Sequence, residues 1–158
     1  MASVDLSADG SWSTRTTLTD AAGNTGPAAT GSFTLDTTAP AAPSAILAPA
    51  SDSGLLGDSI TNDATPTLSG SGVPGDTITV RDTAGNVIAT ATVAANGTWS
   101  ATPTVALADG LHTFSVTATD PAGNISAPAL VPVTIDTTAT VPTVTSTVGN
   151  TLTPTLSG

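Results

Sequence analysis

The sequence predicts an all-β protein: a Greek-key β-sandwich of about seven short strands, set in tandem with partial copies of itself at both ends. Three observations predict it. Short runs such as "TITV", "HTFSVTAT" and "VPVTI" alternate apolar and polar residues at period two, so one face of each is buried. The chain holds 15 Gly and 12 Pro, and these leave no stretch in which a 3.6-residue period could run for three turns. Ordered motifs also recur about 100 residues apart, roughly the length of one sandwich domain.

In chain order, strand A of the complete copy falls near 44–47 and strand B at 65–69, where "TPTLS" precedes a glycine. Strand C spans 77–81, and C′ spans 87–93 after the turn "DTAGN". Strand E covers 98–105, opened by the turn "NGT". Strand F covers 112–119, and G covers 130–135. Their inward positions give an expected core of Leu68, Ile78, Val80, Ile88, Trp99, Leu107, Phe114, Val116, Val133 and Ile135.

The repeats set the organisation. "DTTA" begins at Asp36 and at Asp136; "DAAGN" begins at Asp20 and "DPAGN" at Asp120. "TPTLSG" begins at Thr65 and again at Thr153. Residues 1–38 therefore read as the C-terminal part of a truncated repeat, 39–138 as a complete repeat and 139–158 as the N-terminal part of a third. Matching "ADGSWS" around Trp12 to "ANGTWS" around Trp99 gives an offset of 87. On that alignment the first copy lacks residues between its Trp and its "DxxGN", and it cannot hold both strand E and strand F.

Composition excludes several functions. The formal charge is −10, every one of the 12 acids is Asp, and Lys is absent. Such a surface disfavours nucleic acid and anionic membranes. No apolar run approaches the length of a spanning helix, so no membrane insertion is expected, and the start of the chain does not read as a signal peptide. With no Cys there is neither a disulfide nor a thiolate metal site. His112 is the only histidine, which rules out a zinc site or a triad built on it. It follows a turn at the base of strand F and is expected to pack or hydrogen-bond there. Ser and Thr are abundant but no base accompanies them, so the chain is not expected to be an enzyme.

Asp is the acid both of turns and of hard-cation sites. Strand direction sorts the acids to two poles. The FG loop with Asp120 and Asn124 lies at the upstream pole, where the linker carrying Asp36 arrives. Asp52, Asp58, Asn62 and Asp63, from "SDSGLLGDSITND", lie at the downstream pole with Asp82, Asp109 and Asp136. Turn chemistry and ligation of an oxygen-seeking cation both fit these residues, and the sequence leaves both open.

The ordered set "DTTAP", "GDTITVRDTAGNVI", "NGTWS" and "LADGLHTFSVTATDPAGN" resembles the bacterial Ig-like repeats of giant type-I-secreted surface adhesins, the RTX-type and biofilm-associated proteins. The resemblance implies an extracellular stalk whose partners are the neighbouring Ig-like repeats of its own chain, holding an adhesive module away from the cell. It also implies Ca²⁺ at the junctions between repeats, with Asp36, Asp120 and Asn124 at the upstream junction. Asp52, Asp58, Asn62, Asp63 and Asp136 would serve at the downstream one. Two other functions stand beside it: a ligand- or carbohydrate-binding Ig-like module, and an accessory domain of a secreted hydrolase. The first would need aromatics exposed on a sheet face, where this chain has no Tyr and 2 Trp.

Overall fold

The computed structural model describes residue 6 and residues 8–143. The expected third partial repeat lies largely outside the described residues. Among those described there is no helix. Ten strands follow one another: β1 (Gly10–Thr16), β2 (Ala29–Leu35), β3 (Ile46–Leu47), β4 (Ile60–Thr61), β5 (Leu68–Ser71), β6 (Thr77–Arg81), β7 (Val87–Thr92), β8 (Thr98–Ala101), β9 (Gly110–Thr119) and β10 (Ala129–Ile135).

Strands β3–β10 form a sandwich. A five-stranded sheet, ordered β4-β10-β9-β6-β7, faces a three-stranded sheet, ordered β3-β5-β8. Pairing is antiparallel throughout except between β4 and β10, which run parallel. The period-two signal becomes the core directly. Ile78 and Val80 from β6, Phe114, Val116 and Ala118 from β9, and Val131 and Val133 from β10 point inward. They meet Leu47, Leu68, Trp99 and Ala101 of the opposite sheet. Ile88 and Leu107 are half-buried against this cluster rather than inside it. On β7 it is Ala89 that is buried, after a register shift between Val80 and Arg81.

The complete repeat has eight strands rather than seven. The extra one, β4, lies inside the Asp-rich stretch "SDSGLLGDSITND". The chain starts in the three-stranded sheet as β3 and crosses over at residues 48–59. It then joins the edge of the five-stranded sheet beside β10, where Thr134 N–H donates to the Ser59 carbonyl at 2.9 Å and Asp136 N–H to that of Thr61 at 2.9 Å. Pro132 in β10 explains where the parallel pairing begins. Two residues before Thr134 it offers no N–H, and no strand pairs with β10 there on that side.

The first copy differs from the sequence alignment. β1 pairs with β2 from Gly10↔Leu35 to Thr16↔Ala29, and β9 pairs with β10 from Gly110↔Ile135 to Val116↔Ala129. The two hairpins share one register at an offset of 100 with no gap, so β1–β2 is an F–G hairpin. Trp12 occupies the place of His112, not of Trp99. The reason is local: "ADG" with its following strand and "DTT" form one hydrogen-bonded unit. Asp9 accepts from Thr37 N–H at 2.9 Å, as Asp109 accepts from Thr137 N–H at 3.1 Å. The Trp12 indole donates to the Ala8 carbonyl, and a His112 ring nitrogen sits 2.8 Å from the Ala108 carbonyl. His112 also stacks on Phe114, as a residue packed at the base of strand F should.

Candidate cation site at the upstream pole

Three loops meet where the chain enters the sandwich. The first is the FG loop. Asp120 Oδ1 accepts the Asn124 main-chain N–H at 2.9 Å and Oδ2 accepts the Asn124 side-chain amide at 2.8 Å. Gly123, at φ 95°, closes the turn. The same geometry recurs at Asp20–Asn24 and Asp82–Asn86, so "DxxGN" is a self-contained turn wherever it stands. The copy at Asp120 does something more. The Asn124 amide also donates to the main-chain carbonyl of Asp36 at 3.1 Å, tying the end of one repeat to the loop of the next. The Asp36 carboxylate accepts from Thr38 N–H at 3.1 Å.

The third element is Asp76, at the start of β6. It is 2% exposed, and its Oδ2 is buried with no hydrogen-bond partner. Desolvation raises its pKa, and the neighbouring Asp120 charge raises it further. Asp120 itself is held below the usual carboxylate range, first by the Asn124 amide. A buried carboxylate oxygen without a donor, beside a second carboxylate kept ionised, is a costly arrangement unless a cation or a proton joins it. The donor set is all oxygen, which suits a hard divalent cation.

Of the sequence-predicted residues, the structure brings together Asp36, Asp120 and Asn124, with Asp36 contributing its carbonyl. The downstream acids are engaged separately. Asp58 accepts from Ile60 N–H at 2.9 Å, and Asp63 accepts from Thr65 N–H at 2.9 Å and from the Ser51 hydroxyl at 3.1 Å. Asp136 accepts from Thr138 N–H at 3.2 Å, Asp52 accepts from Gly57 N–H, and Asn62 N–H donates to the Ser53 hydroxyl. Asp52, within the crossover between β3 and β4, also keeps one buried oxygen without a partner. Among the described residues, no three His or Asp side chains stand together closely enough to hold a metal by themselves.

Asp76 is the residue that sequence reasoning missed. Its signal was present in "GDTITV": Asp76 is in phase with Ile78 and Val80, so period two already placed an acid on the buried face.

An edge strand parallel to the last strand, a five-stranded sheet on a three-stranded one and loops gathered at two poles define the immunoglobulin-type sandwich. Residues 38–137 match the family model of the bacterial Ig-like domain, and the chain belongs to that family. Two solved structures are similar in part. One comes from work on host cell surface retention of a 1.5-MDa bacterial ice-binding adhesin, with 29% identity, a TM-score of 0.37, and coverage of 79% of this chain and 41% of that one. The other is the BSP domain of a biofilm associated protein, with 23% identity, a TM-score of 0.45, and coverage of 84% of this chain and 20% of that one. This chain thus spans less than half the length of either. No curated protein matches it at a significant level. Among the described residues no helix is long and apolar enough to cross a membrane.

Proposed function

We propose that this chain is a non-enzymatic extender segment of a bacterial surface adhesin, exposed outside the cell, and that Ca²⁺ stiffens its junction at the upstream pole. The observation that carries the proposal is the meeting of the orphaned Asp76 carboxylate, the Asp120 carboxylate and the Asn124–Asp36 bond at the boundary between two repeats. Asp76 and Asp120 would supply the charge, and Asn124 and the Asp36 carbonyl the neutral oxygens. The bound cation would neutralise two carboxylates that otherwise repel. The protein's part is geometric. β6 presents Asp76, the FG turn fixes Asp120 and Asn124, and Asp36, near the end of the preceding repeat, is already held within reach.

A calorimetric Ca²⁺ titration alongside thermal melts tests it. Affinity is expected at ~10⁻⁴ to 10⁻³ M, as in extracellular modules. Ca²⁺ at about 100 times its dissociation constant then adds about 2.7 kcal/mol. Asp76→Asn should abolish that rise and make the Ca²⁺-free protein more stable, because it removes an unpartnered buried charge. Asp82→Asn, in the same turn motif as Asp120 but at the other pole, should keep the full response. Full Ca²⁺ responses in both Asp76→Asn and Asp120→Asn would overturn the site.

A further inference from the structure

The crossover that adds β4 also leaves a hollow. β3 ends at Leu47 in one sheet, and β4 begins at Ile60 in the other. β4 meets β10 only at Thr134 and Ile135, so the outer edge of β10 from Ala129 to Pro132 has no neighbouring strand. Between that edge, β3 and the crossover lies a cavity of about 470 Å³, within the ~300–1,000 Å³ that small-molecule sites occupy. Leu47 and Val131, both buried, belong to its walls. Ile46, Leu56 and Leu130 line it too, and they are 57%, 70% and 66% exposed. Three large apolar side chains left open around one hollow offer apolar contact to whatever enters it.

The polar content of the wall sets the charge of the occupant. Among the described residues, Asp52 is the one ionisable group lining the cavity. One of its carboxylate oxygens accepts Gly57 N–H, and the other is buried without a partner. A cationic donor satisfies such an oxygen better than a neutral one. This chain has little to give it. Lys is absent, and the two basic residues are Arg15, on the exposed strand β1, and Arg81, whose guanidinium donates to the Gly85 carbonyl at 3.0 Å. A second copy would bring the same shortage, and a formal charge of −10 against another of −10.

We propose that this cavity binds a small organic monocation, a primary ammonium group carried on an apolar body. The ammonium donates to the free oxygen of Asp52, and the body covers Ile46, Leu56 and Leu130. Because that oxygen is shut off from solvent, the turn carrying Leu55 and Leu56 shifts as the ligand enters. Both leucines are exposed, so the shift uncovers no core. The same walls disfavour other occupants. An anion would meet Asp52, and a peptide added as a strand along β10 would find no N–H at Pro132.

Amide chemical shifts of Leu47, Gly57 and Val131 in the full chain test it, followed during titration in chelator so that the outcome is independent of the calcium reading. Hexylammonium is the probe. Hexanol keeps the body without the charge, and hexanoate reverses the charge. Hexylammonium should bind with a dissociation constant on the order of 1 mM, hexanol about tenfold more weakly, and hexanoate should leave the shifts unmoved. Asp52→Asn should weaken hexylammonium about tenfold and leave hexanol unchanged. Leu130→Ser, at an exposed position outside the core, should weaken both about threefold. Hexanol binding as tightly as hexylammonium, or a hexylammonium affinity that either substitution leaves unchanged, would overturn the site. So would an extended apolar peptide that moves the same amides at a lower concentration than hexylammonium does.

Discussion

Two hairpins with one register lead different lives in this molecule. β1–β2 and β9–β10 pair residue for residue at an offset of 100, end in the same Asp–Thr contacts and carry the same "DxxGN" turn. Yet β9–β10 is the buried centre of the sandwich, and β1–β2 is exposed along almost its whole length. Their inward positions show why. Where β9 has Phe114 and Val116, β1 has Thr14 and Thr16; where β10 has Val131, β2 has Gly31. Only Trp12, Phe33 and Leu35 keep a large apolar side chain, and Phe33 is 45% exposed. Local hydrogen bonding specifies the hairpin. Burial against a second sheet is what makes it a stable part of a domain, since a lone two-stranded hairpin is marginal in water.

The largest expected effect lies at the buried member of the pair. Phe114→Ala should cost about 3–5 kcal/mol in a urea melt of the sandwich, whereas Phe33→Ala should stay within about 0.5 kcal/mol. A Phe33→Ala cost approaching that of Phe114→Ala would mean that the first hairpin packs against something after all. Hydrogen exchange sharpens the contrast. Amides of β9 and β10 should exchange only through global unfolding, while those of β1 and β2 should exchange through local opening, orders of magnitude faster.

A smaller effect distinguishes the two aspartates that close the hairpins. Bonds to Thr137 and then to Thr138 hold the Asp109 pKa below the ordinary carboxylate range, and bonds from Thr38 and Thr37 do the same for Asp9. A lowered folded-state pKa means the unfolded chain binds the proton more tightly. The stabilisation is therefore complete at neutral pH and disappears as pH falls below about 4. The advantage of the native protein over Asp109→Asn in sandwich melting should follow that course. Asp9→Asn should leave the sandwich melt unchanged at every pH and show only as faster exchange at Thr37. The smallest expected effect is Asn24→Ala, which loosens one exposed turn. Asn124→Ala loosens the same turn and also frees the Asp36 carbonyl, so added Ca²⁺ should raise its melting temperature less than that of the native protein.

Much of the molecule was legible in the sequence because β-structure is written locally. Period two in "TITV" and "HTFSVTAT" fixed which faces are inward. The turns "DTAGN", "NGT" and "DPAGN" fixed where the strands stop, and strand direction alone sorted the acids to two poles. Even Asp76 could have been read, as an acid in phase with Ile78 and Val80. Three features required the tertiary structure. β4 has no local signal: two residues within a polar loop become a strand only because β10 offers an unpaired edge after Pro132. The place of Trp12 was misread because "GSW" and "GTW" look alike along the chain, while the contacts of Asp9 with Thr37 and Thr38 are made only across the folded hairpin. The third is the way Asp76 joins Asp36, Asp120 and Asn124, which strand direction already set at the upstream pole. It depends on three loops far apart in the chain arriving at one pole, and loop placement is set by the packing of the two sheets, which no short stretch of sequence encodes.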